Sequence, residues 1–334
     1  MKIIILTTIA EDGSKLKNSL QSMNLDFISV KNFIKKDIVA TPSLFKDTSF
    51  IFSTWYMPTF TENELKKYLP SLKAVFYAAG TTKYFAVPFF KQGVKIFSAA
   101  LANAIPVAEF VTAQILLANK GYFQAQKTYK KPFWRYSFKK ARGYSYQKKG
   151  NYNAKIGIIG CGAIGSRVVR LLKPYHLDVL VYDPYLSDDR IKELGVKKTY
   201  LADLFAKSDV ITNHLPNINE TKGIINAKLL SLMKENVTFI NTGRGAQVVE
   251  KDLVKIMQKN PYACALLDVT HKEPVRPWSK LLRTKNIFLT PHIAGSLSDE
   301  NNRMIAYMLH AYTNTIAGKV DLCEVSIKEI QKQT

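Results

Sequence analysis

Three polar side chains stand where apolar runs end in the second half of the chain. Arg244 lies in NTGRG after VTFI, Glu273 in DVTHKEP after CALL, and His292 in TPHIAG after NIFL. Their chemistries complement one another. Arginine offers a planar fork that grips a carboxylate and polarises a neighbouring carbonyl. Histidine titrates near neutrality and gives or takes one proton. A glutamate paired with it holds the ring and favours its charged form. The set suits hydride transfer to or from a 2-keto acid, with a cofactor moving the hydride and His292 the proton. His271, two residues before Glu273, competes for the acid–base role. His214, after DVITN, is better placed to touch a cofactor. His176 and His310 read as structural or surface residues.

These residues need strands to carry them. KIGIIG, LDVLVYD, DVITNHL, VTFINTG, CALLDVT and NIFLTPHI read as strands separated by helical segments, the alternation of a parallel sheet with covering helices. Ligands of open α/β sheets sit outside the carboxyl ends of the strands, so Arg244, Glu273 and His292 are candidates to line one site. The first strand of the series runs into Gly160, Gly162 and Gly165, in G-x-G-x-x-G spacing and opening a helix. In that setting the first glycine permits a tight turn. The second admits a pyrophosphate and the third lets helix and strand pack closely. The free N–H groups of the helix N-terminus face the phosphates. Asp183 ends the next strand eighteen residues beyond Gly165 and is followed by Pro184 and Tyr185, with no adjacent base. A carboxylate there accepts from ribose hydroxyls and repels a 2′-phosphate, favouring NAD over NADP.

The first hundred residues alternate in the same way, with IIILTTI, DFISV, SFIFST, KAVFYAAG and VKIFSAA as strands. NAIPVAEFVTAQILLANKGY reads as a long bridging helix. From Lys120 to Lys149 there are ten basic residues, no acidic ones and nine aromatics, among them Phe133, Trp134, Tyr136 and Phe138. Basic residues interleaved with aromatics mark either single-stranded nucleic-acid binding or an extended arm packing its rings on a partner subunit; the arm is favoured because no nucleic-acid fold signature surrounds it. A last helical pattern spans Ser298 to Ala317.

At 334 residues, two domains are expected. The apolar and charged fractions, 47% and 22%, exclude a wholly disordered or collagen-like chain. The net charge of +22 points either to anionic partners or to a lysine-rich surface, and the second reading is favoured because lysine is abundant throughout. No run of about 18 uncharged apolar residues is evident, which argues against a spanning helix. The opening MKIIILTTIAEDG reads as a strand rather than a signal peptide, since Glu11 and Asp12 interrupt the apolar run. Cys161, Cys264 and Cys323 form no disulfide framework and suit a reducing cytoplasm. No zinc-ligand spacing is present, so no metal is expected.

With these motifs in order, the chain resembles the D-isomer-specific 2-hydroxyacid dehydrogenase family. NAIPVAEF, GIIGCGAIGSRV, VYDPY, HLPNINETKGIIN, FINTGRGAQVVE, LLDVTHKEP and LTPHIAG carry the resemblance. It implies an α/β protein of two doubly wound parallel-sheet domains with a cleft between them. A Rossmann-type cofactor domain at 101–296 would be inserted in a flavodoxin-like substrate domain made of 1–100 and 297–334. The resemblance further implies a homodimer with 120–150 as its arm, and catalytic roles for Arg244, Glu273 and His292. Cofactor contacts carry over to Ala163, Ile164, Asp183, Leu215, Pro216 and Thr242. Asp268 is expected near the nicotinamide carboxamide, and Gly295 completes the set. The substrate-carboxylate loop departs from the family's G-x-G-x-D-x-x-D pattern: here it is YAAGTTKYFAV, with Ala79, Gly80 and Thr81 as backbone N–H donors and Lys83 adding charge. Trp55, Tyr56 and Met57 are either a pocket wall or ordinary packing. Arg276, Pro277 and Trp278 are a second candidate specificity element. Small 2-keto or 2-hydroxy acids, including phosphoglycerate, glyoxylate, hydroxypyruvate and lactate-like compounds, remain open as substrates. The same fold also serves NAD-sensing corepressors that do no chemistry, a reading that needs a peptide-docking groove.

Overall fold

A computed structural model describes residues 2–7, 9–23, 27–29, 35–130 and 134–330. Asp26 and Val30 of the expected second strand, and Phe133 of the aromatic stretch, lie outside the described residues. The chain divides into two compact units, Met1–Asn103 with Ser296–Gln333, and Ala104–Gly295.

Among the described residues the first unit holds a five-stranded parallel sheet: β1 (Lys2–Leu6), β2 (Phe27–Ser29), β3 (Thr48–Ser53), β4 (Ala74–Tyr77) and β5 (Lys95–Ser98), in the order β2-β1-β3-β4-β5. The strands are near-continuous apolar runs because both faces are covered. On one face Ile4, Leu6, Ile51, Val75 and Ile96 pack with Phe60, Phe85 and Phe89. On the other, Phe52, Phe76 and Phe97 stack across β3, β4 and β5 at centroid spacings of 4.9 Å. Tyr312 meets Phe76 edge-on at 5.5 Å. That contact, with Met304 and Met308, explains why helix Glu300–Ile316 returns to this unit: its apolar face covers the phenylalanine ladder.

The second unit holds a seven-stranded parallel sheet of β6 (Lys155–Ile159), β7 (Asp178–Tyr182), β8 (Lys197–Lys198), β9 (Val210–Asn213), β10 (Thr238–Asn241), β11 (Cys264–Leu267) and β12 (Ile287–Leu289), in the order β12-β11-β10-β9-β6-β7-β8. This is the Rossmann winding with a seventh strand. The order reverses between β6 and β9, and the crevice of such a sheet opens at their carboxyl ends. Both units are thus doubly wound α/β folds.

Two expectations change. Helix Ala100–Ala118 is, by length and composition, apolar enough to cross a membrane. Its hydropathy has a packing cause: Val107, Ala108, Val111, Ile115 and Ala118 are buried in the second unit's core. The basic, aromatic stretch is helical rather than extended. It folds as helices Tyr122–Tyr129 and Trp134–Tyr146, docked on their own unit. Gln124 Nε2 donates to the carbonyls of Pro261 (3.2 Å) and Ala263 (2.9 Å), Lys127 Nζ to that of Lys285 (2.9 Å), and Lys148 Nζ to that of Asn236. Burial pushes the Lys148 ammonium down to about 8. Tyr129, Tyr136, Phe138 and Tyr146 stay exposed, with Arg142 over the last two rings.

Candidate active site

The glycine turn leaves β6 at Ile159. Gly160 has φ +84°, and a Cβ there would lie 2.8 Å from the carbonyl oxygen of His214, so the turns after β6 and β9 meet backbone to backbone. A Cβ on Gly165 would lie 2.1 Å from Gly160 O, which is the close helix–strand approach the third glycine permits. Gly162 faces open space and caps helix Ala163–Leu172 without a side-chain bond. The N–H groups of Ala163 and Ile164 open that helix. Asp183 ties the turn to β7: Oδ2 accepts the Cys161 N–H at 2.8 Å and Oδ1 the Tyr185 N–H at 2.9 Å. At the end of β10 the buried Thr242 hydroxyl has no protein partner among the described residues. An open cradle, a helix N-terminus, a carboxylate beside them and an unmatched buried hydroxyl fit a dinucleotide's pyrophosphate and sugars.

His292 follows β12 in the left-handed region, at φ +56°. Its N–H donates to the carbonyls of Asp268 and Thr290, each at 3.0 Å. Asp268, 3% exposed, holds the same loop with its carboxylate: Oδ1 accepts the Thr290 hydroxyl (2.6 Å) and the Ile293 N–H (2.9 Å), and Oδ2 the Ala294 N–H (3.0 Å). Its carboxylate, expected against the cofactor, is therefore engaged with the loop that carries the histidine. Gly295 follows this loop and is the last residue of the unit.

The ring of His292 is held from Nδ1, 2.8 Å from Glu273 Oε2. The other oxygen of Glu273 accepts the Thr270 N–H at 3.0 Å, so the carboxylate bridges its own turn and the imidazole. With Nδ1 committed, Nε2 is left for a substrate. Arg244 is partly buried, and Nη1 donates to Gly243 O at 2.8 Å. Burial lowers its proton affinity from the usual guanidinium range, and the charge of Glu273 raises it in part. Gly245 lets the Arg244 turn pack against the turn that carries Glu273. A Cβ there would sit 1.9 Å from the Thr270 carbonyl carbon and 2.2 Å from the His271 N. The structure thus pairs Glu273 with His292 and packs the Arg244 turn against the turn that carries Glu273, after β10, β11 and β12.

His271 is engaged elsewhere. It is exposed, and its N–H donates to Glu250 Oε1 at 2.6 Å. It lines a surface cavity of about 240 Å³ with Arg276 and Trp278, whose guanidinium and ring lie 5.7 Å apart. His214 is buried. Nε2 lies 3.1 Å from the Thr212 hydroxyl, Nδ1 has no protein partner among the described residues, and burial pushes the ring down to about 3, so it is neutral. His176 packs on Tyr152, and His310 Nδ1 lies 3.1 Å from Asp321 Oδ2.

The expected substrate residues belong to the first unit. Met57, 2% exposed, is part of its core, so packing is the reading that holds for it. Trp55 lies against that core, its ring 3.6 Å from where a Gly80 Cβ would be. Tyr56 is exposed at φ +67°. The Ala79 N–H donates to Tyr77 O at 2.8 Å and so is not a free donor, whereas Gly80 and Thr81 follow it in the loop.

Residue types and spacing did not reveal three buried amides, Asn213, Asn241 and Gln247, that join the ends of β9 and β10 beneath Arg244. Polar side chains ending otherwise apolar strands were the only signal for the first two.

A Rossmann sheet with a glycine cradle after its first strand is the architecture of an NAD-binding α/β protein. The family model for D-isomer specific 2-hydroxyacid dehydrogenase, NAD binding domain, matches residues 112–294, and the chain belongs to that family. It is 36% identical over 206 residues to D-3-phosphoglycerate dehydrogenase of Archaeoglobus fulgidus, covering 62% of this chain but 38% of that protein. It is 30% identical over 236 residues to glyoxylate reductase of Korarchaeum cryptofilum, covering 70% of each. The chain therefore matches well under two thirds of the length of the phosphoglycerate dehydrogenases. Among solved structures, D-2-hydroxyisocaproate dehydrogenase has the same fold, with a TM-score of 0.80 at 21% identity over 97% of this chain and 99% of that one.

Proposed function

We propose that this chain is an NAD-dependent oxidoreductase that interconverts a small 2-keto acid and its D-2-hydroxy acid. The observation that carries the reading is the 2.8 Å contact of His292 Nδ1 with Glu273, with the Arg244 turn packed through Gly245 against the Thr270–His271 peptide. Gly160, Gly162, Ala163, Ile164, Asp183 and Thr242 would hold the dinucleotide, which when bound supplies or accepts the hydride. Arg244 binds the substrate carboxylate and draws electron density from the keto oxygen, orienting the carbonyl. As charge develops on that oxygen, His292 donates its Nε2 proton to it. Glu273 fixes the ring through Nδ1 and stabilises its charged form, so that the proton is delivered along one direction. In the oxidative direction His292 takes the hydroxyl proton back.

Asp268 supports this reading by holding the His292 loop through three hydrogen bonds to one buried carboxylate. The named relatives act on phosphoglycerate and on glyoxylate; both substrate types present the carboxylate that Arg244 would grip. Turnover of NADH with glyoxylate, hydroxypyruvate, pyruvate and 3-phosphohydroxypyruvate tests the reading, and no turnover with any 2-keto acid despite NADH binding would contradict it.

A further inference from the structure

Gln247 is wholly buried, in the short turn Gly245–Gln247 that follows Arg244. An amide at such a site is tolerated when its donors and acceptor are matched. Here they are matched across two loops. Nε2 donates to Leu215 O at 2.7 Å and to Pro216 O at 2.9 Å, in the loop after β9. Oε1 accepts the Arg244 N–H at 3.1 Å and Asn213 Nδ2 at 2.6 Å. Asn213 extends the link: Nδ2 also donates to Asn241 Oδ1 at 3.0 Å, and Oδ1 accepts the Leu215 N–H at 3.3 Å. Asn241 Oδ1 accepts the Gly243 N–H at 3.1 Å. A Cβ on Gly243 would come within 2.7 Å of Gln247 Oε1, so the turn is closed tightly over the amide.

The loop at Leu215 and Pro216 leaves β9 at the switch point and meets the glycine turn through the carbonyl of His214. It is thus on the dinucleotide's side, while Arg244 is on the carboxylate's side. One rigid side chain touches both backbones. Shifting one loop relative to the other breaks both Nε2 hydrogen bonds and leaves buried polar groups unmatched, which is costly.

We propose that Gln247 is a positioning residue that couples the two halves of the site, so that ordering of the Leu215–Pro216 loop by a bound dinucleotide sets Arg244 for the substrate carboxylate. The inference rests on the dehydrogenase reading above. Such coupling is reciprocal, and its size is the factor by which one ligand tightens the other.

The test measures binding of oxamate, an unreactive 2-keto acid analogue, by titration calorimetry with and without saturating NADH. In the unaltered protein NADH should tighten oxamate binding. Gln247→Leu keeps the volume but removes all four hydrogen bonds, and should reduce that enhancement by about tenfold, within the usual range for coupled sites. Gln247→Glu keeps the acceptor facing Arg244 and Asn213 but turns a carboxylate oxygen toward two carbonyls. Its enhancement should be lost at high pH and partly recover as the acid takes a proton and can donate again. A purely structural role would lower the melting temperature of both variants and leave the enhancement unchanged; that result in the folded variants overturns the proposal. If the leucine variant does not fold, the pH dependence of the glutamate variant decides. If the unaltered protein binds NADH but neither binds oxamate nor reduces a keto acid, the dehydrogenase reading fails first and the coupling falls with it.

Discussion

Glu273 and His292 share one contact, Oε2 to Nδ1 at 2.8 Å, and the second oxygen of Glu273 is fixed by the Thr270 N–H at 3.0 Å. The imidazole is therefore oriented by a carboxylate that is itself held. Glu273→Gln keeps the shape and removes the charge. Hydrogen bonds to charged groups are worth about 1.5–3 kcal/mol, so keto acid turnover should fall about tenfold to a hundredfold. NADH affinity, read by fluorescence titration, should stay the same. Unchanged turnover would remove Glu273 from the mechanism.

Asp183 does two things at once. Its carboxylate accepts the Cys161 N–H of the glycine turn, and in the proposed function it would also accept a ribose hydroxyl. NADH should be preferred over NADPH. Asp183→Ser should narrow that preference by weakening NADH more than NADPH, measured as the ratio of kcat/KM for the two. A preference for NADPH in the unaltered protein would show that this carboxylate does not face the ribose.

Gly245 has no room for a methyl group, because a Cβ would overlap the Thr270–His271 peptide at 1.9–2.2 Å. Gly245→Ala must push the Arg244 turn away from the Glu273 turn. Overpacking of this kind costs about 1–3 kcal/mol of stability. The keto acid KM should rise with little change in NADH affinity. A variant with wild-type melting temperature and KM would show that the two turns are not held in this contact.

His214 makes stability depend on acidity. Its folded ring, pushed down to about 3 by burial, stays neutral where an unfolded histidine takes a proton near 6.5. The unfolded state then binds more protons, so the stability associated with the neutral ring is lost as pH falls from about 6.5 toward 3, by an amount on the order of a few kcal/mol. In His214→Gln the melting temperature should fall less steeply between pH 7 and 4. Parallel curves for the two proteins would contradict the assignment.

What the residues disclosed on their own was local. The glycine spacing, the strand ending at Asp183 and the polar residues after β10, β11 and β12 each lie within a few positions of the element that carries them. Links across long separations were hidden. Asp268 finds its partners 22–26 residues further on, and Gln247 finds Leu215 and Pro216 more than 30 residues back. No periodicity encodes such pairs. The helix Trp134–Tyr146 was obscured for another reason: it buries small residues, Ser137 and Ala141, and leaves Tyr136, Phe138 and Tyr146 exposed, inverting the usual amphipathic pattern. Met57 follows a strand as a pocket residue would, yet its side chain turns into the core.

The most direct test is the rate of NADH oxidation with a panel of 2-keto acids, measured side by side for the unaltered protein, His292→Ala and His271→Ala. Removing a positioned acid–base group costs about 10²–10⁴-fold. His292→Ala should lose that much while still binding NADH, and His271→Ala, whose ring is exposed and lines the cavity with Arg276 and Trp278, should remain near the unaltered rate. Loss of turnover in His271→Ala with near-normal turnover in His292→Ala would contradict the assignment of the proton donor.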